Sequence, residues 1–118
     1  MKVCKFGGTS LSDAAQVTKV CDIMLADPAR RVVVVSAPGK RHRNDTKVTD
    51  LLIACAEAAL AGRDAGGPIA EVVGRYAAIQ QGLGLDPAIV GRIEDHLRAR
   101  IARDRCHSSR FPATSHAA

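Results

Sequence analysis

The sequence predicts an α/β fold that opens with a parallel strand–helix–strand unit and continues in helices. Three observations carry this. Lys2–Phe6 is a short apolar-leaning strand that runs into a glycine turn. Val32-Val33-Val34-Val35 is an unbroken β-branched run, the pattern of a strand covered on both faces in a parallel sheet. The segments between and after them repeat apolar residues at helical spacing.

The first helix is expected from about Asp13 to Ala26. Ser12 or Asp13 can cap it, and Gln16 stands three residues after Asp13 as in a capping box. Val17, Val20, Cys21 and Met24 form one apolar face, and Asp27-Pro28 ends the helix. The valine strand, Arg31–Ser36, follows. A polar loop, Ala37–Asp45, leads to a second helix from about Thr46 to Ala61. Its stripe is Val48, Leu51, Leu52, Cys55, Ala59 and Leu60, with Gly62 as the stop.

A third helix spans about Ile69–Gln81, with Ile69, Val72, Val73, Tyr76 and Ala77 facing inward. Asp86-Pro87 starts a fourth, as cap and first helical residue. Its stripe runs through Ile89 or Val90, Ile93, Leu97 and Ile101. From Asp104 the periodicity fails, and residues 104–118 read as a disordered tail. Two strands do not complete an α/β domain, since a buried parallel strand needs neighbours on both edges. The expected architecture is a larger fold cut short.

Composition narrows the function classes. The chain has 118 residues, 47% of them hydrophobic and 25% charged, which suits a soluble globular domain. No apolar run reaches the roughly 18 residues of a membrane span, and Met1–Phe6 is too short for a signal-peptide core. A cytoplasmic location is therefore expected, with no membrane partner. Cys4, Cys21, Cys55 and Cys106 are widely spaced without a C-x-x-C pair, which argues against zinc. Cys4, Cys21 and Cys55 lie in apolar patterns and read as small buried thiols. Cys106, His107 and His116 lie in the irregular tail, and no metal site is assigned to them. The net charge of +5 gathers at Lys40-Arg41-His42-Arg43 with Lys47, and from Arg98 to Arg110. Basic clusters attract polyanions. No aromatic side chain interleaves them, which argues against nucleic acid.

Three constellations carry possible chemistry. Lys5-Phe6-Gly7-Gly8-Thr9-Ser10 stands where a strand becomes a helix. Glycines bare the backbone N–H groups, a helix start favours anions, Lys5 adds a full charge and the hydroxyls add donors. It is neither a Walker A loop nor G-x-G-x-x-G, and two glycines after a strand also form plain turns. Ser36-Ala37-Pro38-Gly39 ends the valine strand, at the strand edge where open α/β sheets bind ligands. A solvated loop is the plainer alternative. In Asn44–Leu52, Thr46 or Thr49 can cap the second helix, whose early amides can hold an anion.

Lys5–Ser10 resembles the N-terminal signature of aspartate kinases, in the amino acid kinase family. Val33–Leu52, reading VVVSAPGKRHRNDTKVTDLL, resembles their second block. The resemblance covers position 1 to about 103, strongly to Leu52. It implies an incomplete αβα sandwich of the amino acid kinase fold in residues 1–103, with 104–118 outside the family. It implies phosphoryl transfer from ATP, with Mg2+, to the side-chain carboxylate of L-aspartate, giving 4-phospho-L-aspartate for lysine, threonine and methionine synthesis. On that resemblance Lys5 would steady the transferring phosphoryl group as the catalytic lysine. Lys5, Phe6, Gly7, Gly8, Thr9 and Ser10 would line the nucleotide phosphates, and Ser36 and Thr49 the substrate.

Family members carry further on a Ser-x-Gly-Glu segment, a Gly-Gly-Ser-Asp block with the catalytic aspartate, and ACT domains. None of these occurs here. A frame change or early stop is the expectation, and with it a chain inactive by itself. The alternatives are a non-catalytic fragment that associates with a full-length kinase, and a small basic protein that binds anions or nucleic acid.

Overall fold

The computed structural model describes residues 1–110, with side chains through Arg103. The chain order is β1 (Lys2–Phe6), a 3₁₀ turn (Gly8–Leu11), α1 (Ala14–Leu25), β2 (Arg30–Val35), α2 (Val48–Leu60), α3 (Gly66–Leu83) and α4 (Ala88–Arg110). β1 and β2 pair in parallel, with Val3 opposite Val32 and Phe6 opposite Val35, and the register slips between Lys2 and Val3. The expected strand–helix–strand start is therefore present, followed by helices.

Local signals set the helix starts and stops. Asp13 caps α1, its Oδ1 accepting the Gln16 N–H at 2.9 Å. Asp86 Oδ1 likewise accepts the Ala88 N–H at 2.9 Å. Gly62 after α2 and Gly84 after α3 take left-handed φ values of 72° and 67°, a conformation that side chains rarely tolerate. Where α1 crosses α3, a Cβ on Gly82 would lie 2.4 Å from Ala14 Cβ, so this approach requires a glycine.

The core belongs to the helices. Val48, Leu51, Cys55, Ala58 and Ala59 of α2 pack with Ala65, Ile69, Val72 and Ile101, and Val73, Tyr76 and Leu97 close the sides. Each of these side chains gains roughly 25 cal/mol for every Å² of apolar surface it removes from water.

Several sequence expectations fail here, each for a physical reason. The valine strand is not buried on both faces: Val32, Val33, Val34 and Val35 are 40–56% exposed, because the two-stranded sheet supplies few covering neighbours. Neither Thr46 nor Thr49 caps α2; Lys47 holds the N-cap position without a side-chain hydrogen bond. Leu52 and Leu60 face outward, and Ala58 takes an inward position instead. On α1 only Val20 is buried and Cys21 is exposed, since the helix meets little more than α3 and β2. Cys4 is half-buried and Cys55 is fully buried; all three are free thiols.

α4 does not end near Asp104 but continues to Arg110. Loss of apolar periodicity marks loss of a buried face, while helix propagation needs only residues compatible with it, and Gly and Pro are absent from 104–110. The backbone at Cys106 and His107 is helical, but their side chains, and all of residues 111–118 including His116, lie outside the described residues. No described helix is long and apolar enough to cross a membrane.

Candidate functional site

The three sequence constellations converge on one loop. β1 delivers Lys5 and Phe6 to the Gly7–Ser10 turn, where the Ser10 N–H donates to Gly7 O at 3.1 Å. β2, alongside, delivers Ser36 and the Ala37–Gly39 loop. The Gly39 N–H donates to Gly8 O at 2.7 Å, which zips the two turns together. A Cβ on Gly39 would stand 2.6 Å from Gly8 C, and one on Gly8 would stand 3.0 Å from Ala37 O. A glycine is thus required at position 39, while at position 8 a side chain would be tight against the second loop. The third constellation joins through Val48, whose N–H donates to Pro38 O at 3.0 Å and seats the start of α2 against the same loop.

Lys5 is exposed and its side chain makes no hydrogen bond or ion pair among the described residues, so its ammonium is free for a ligand. Phe6, Gly8 and Ser10 are half-buried; Gly7 and Thr9 are exposed. Nothing lies within 4 Å of a Cβ position on Gly7. Ser36 and Thr49 are also exposed, Thr49 in the first turn of α2. Gly8 and Gly39 are brought into direct contact, and Ser36 and Thr49 flank the segment that joins them.

The polar support behind these loops was not read from the sequence. Arg75 of α3 is only 5% exposed. Its Nη1 donates to Thr46 O at 2.7 Å, and its Nη2 donates to Gly39 O at 2.6 Å and Ser12 O at 3.3 Å. Asp45 Oδ2 lies 3.5 Å from Nη1. Asp45 also accepts from Arg41, through Nε at 2.7 Å, Nη2 at 3.0 Å and the backbone N–H at 2.9 Å. Those Arg41 bonds hold the Asp45 carboxyl well below the usual carboxylate range, with lesser help from the Thr46 N–H and Arg75. Burial pulls the Arg75 guanidinium down from its ordinary value, and Arg41 adds to this against the opposing pull of Asp45. A cavity of about 250 Å³ adjoins the Arg41–Asp45–Arg75 group. A signal for Arg75 did exist in the sequence: it stands three residues after Val72 and beside Tyr76, a charge within an apolar stripe.

As a place for a nucleotide, the paired glycine turns fit phosphate oxygens, being side-chain-free and open at Gly7 with an unpaired lysine alongside. For a divalent cation, the described residues offer no grouping of three acidic, histidine or cysteine ligands.

Comparison with known proteins fits this geometry. No family model matches the chain. Over 111 residues, or 94% of the chain, it is 50% identical to aspartokinase 3 of Bacillus subtilis (strain 168). The chain is a homologue of the aspartate kinases. The homologue spans about a quarter of that relative's length, 24%. It is also 43% identical over 56 residues to a putative inactive aspartokinase 3 of Haemophilus influenzae, covering 48% of this chain and 40% of that one. Among solved structures, aspartate kinase of Clostridium acetobutylicum superposes with a TM-score of 0.73 at 33% identity, over 82% of this chain and 23% of that one. Aspartokinase III of E. coli in complex with aspartate and ADP superposes at 0.66 and 29% identity, over 87% of this chain and 22% of that one. The homology is wider than the motifs that first suggested it: a match over 94% of the chain extends past Arg103.

Proposed function

We propose that this chain carries the phosphate-binding and substrate-binding loops of an aspartate kinase site, acting on ATP and L-aspartate in the cytoplasm. The observation that carries the reading is the Gly39 N–H to Gly8 O bond at 2.7 Å, which joins the two motif loops into one glycine-lined edge. Lys5 serves as the charge that steadies the transferring phosphoryl group. Phe6 to Ser10 surround the phosphates, with Gly7 and Gly8 offering N–H groups, and Ser36 and Thr49 meet the amino-acid substrate. The chemistry is positioning and charge neutralisation, since phosphoryl transfer demands little covalent help. The co-substrate ATP supplies the phosphoryl group, with Mg2+ carried on it.

The chain spans 24% of its relative's length, and the described loops supply phosphate and amino-acid contacts. We therefore assign the loops described here a binding role rather than turnover. The chain's likeness to a putative inactive aspartokinase 3 favours the same view.

The test is calorimetric titration of the full chain with Mg-ATP and with L-aspartate, alongside Lys5→Met. Saturable ATP binding that weakens at least tenfold in Lys5→Met supports the reading. ATP binding of equal strength in both proteins, or salt-dependent capture of DNA in preference to ATP, overturns it.

A further inference from the structure

We propose that Arg75 is a positioning residue that sets the spacing between the Gly7–Ser12 turn and the Pro38–Thr46 loop, and through it the grip on nucleotide phosphates. The inference rests on the function proposed above and adds to it a residue outside both motifs. A single amino group, Nη2, donates to Gly39 O at 2.6 Å and to Ser12 O at 3.3 Å. Those carbonyls belong to different loops, 36 and 63 residues away in sequence. The second amino group, Nη1, holds Thr46 O at 2.7 Å, just before α2 begins. One planar guanidinium therefore fixes the end of the first turn, the middle of the second loop and the approach to Thr49.

The group lies outside the apolar cluster of α2, α3 and α4. What it holds are loop carbonyls, so its removal bears on the loops before the helical core. Ser12 is itself buried at 4% exposure and directly precedes the α1 cap, so its carbonyl cannot turn to water without moving that helix start. The Gly39 N–H to Gly8 O bond joins the same loops a few atoms away and depends on the spacing Arg75 sets. Lysine cannot replace it: one ammonium on a flexible stem lacks the fork that reaches carbonyls on both sides.

The experiment compares the full chain with Arg75→Lys, Arg75→Ala and the surface control Arg98→Ala, which loses an exposed pair with Glu94. Amide hydrogen exchange is followed at Gly39 and Ser10, with Cys55 and Ala59 of α2 as internal references. Mg-ATP affinity is measured in parallel. The expected result for Arg75→Ala is at least tenfold faster exchange at Gly39, unchanged protection in α2, and at least tenfold weaker ATP binding. Guanidinium ion at millimolar concentration restores both, and Arg75→Lys falls between. Unchanged Gly39 exchange in Arg75→Ala overturns the proposal. So does a uniform loss of protection in α2 and the loops of both Arg75 variants, which would make Arg75 a folding residue only. If the wild-type chain binds no ATP, the proposed function fails, and the exchange measurement still decides whether Arg75 clamps the loops.

Discussion

Gly39→Ala tests the contact on which the site is built. The new methyl would lie 2.6 Å from Gly8 C, 2.8 Å from Thr9 N and 2.9 Å from Gly8 O. These are backbone atoms, so no side chain can swing away and the two loops must part. Forcing a methyl into such a contact costs about 1–3 kcal/mol. Straining the 2.7 Å Gly39–Gly8 hydrogen bond adds about 1 kcal/mol. Against this, alanine restricts the unfolded chain and returns about 0.4–1 kcal/mol. The net is a destabilisation of about 1–3.5 kcal/mol, or a drop of roughly 4–14 °C in the midpoint for a chain of this size. Gly7→Ala is the matched control: the residue has φ −77°, and nothing lies within 4 Å of its Cβ position. It should unfold within about 0.5 kcal/mol of wild type. Thermal and urea unfolding followed by circular dichroism measure both. A Gly39→Ala protein as stable as Gly7→Ala would refute the close approach of the loops.

Three further outcomes are expected. Asp45→Asn should lower stability at neutral pH, because Arg41 holds the native carboxyl below its ordinary range. A depressed carboxylate contributes fully above its unfolded value near ~4 and loses that contribution as pH falls further, so urea midpoints of wild type and variant should converge in acid. Val72→Ala, at 1% exposure, should cost about 2 kcal/mol, while Leu25→Ala, at 83%, should cost under about 0.5 kcal/mol; equal effects would misplace the core. Cys21 should react quickly with iodoacetamide and Cys55 only after unfolding, because burial pushes the Cys55 thiol up and hides it; mass spectrometry of timed samples reads this directly.

The parts of the fold legible in the sequence were those decided by neighbours along the chain. Asp13 with Gln16, Asp86 with Pro87, and Gly62 marked helix ends through bonds or dihedrals that span a few residues. The valine run stated a preference for burial, but whether strands stand beside it is a long-range fact, and here the run is half exposed. The candidate residues Lys5, Gly7, Gly8 and Ser36 were named by type and place at strand ends. That Gly8 and Gly39 touch was not legible, because 30 residues of chain lie between them and only the parallel pairing of β1 and β2 brings their constellations together. Arg75 was marked in the sequence only as a charge within an apolar stripe; its hydrogen-bond partners are backbone carbonyls of distant loops, which a side-chain pattern does not name.

The open valine strand also governs how the chain behaves in concentrated solution. Val32–Val35 is a short, uncharged, proline-free segment of high β-propensity, and among the described residues one of its backbone edges pairs with no strand. Its guard is the pair Arg30-Arg31. Arg30 donates to Ile23 O and Arg31 is exposed, and both carry charge that copies approaching in register would have to bring together. That repulsion fades as salt shortens the screening length to about 8 Å at physiological ionic strength. Raising salt should therefore favour strand-to-strand stacking and loss of monodispersity, and a lysine placed at Val33 should restore solubility while leaving the helical core intact.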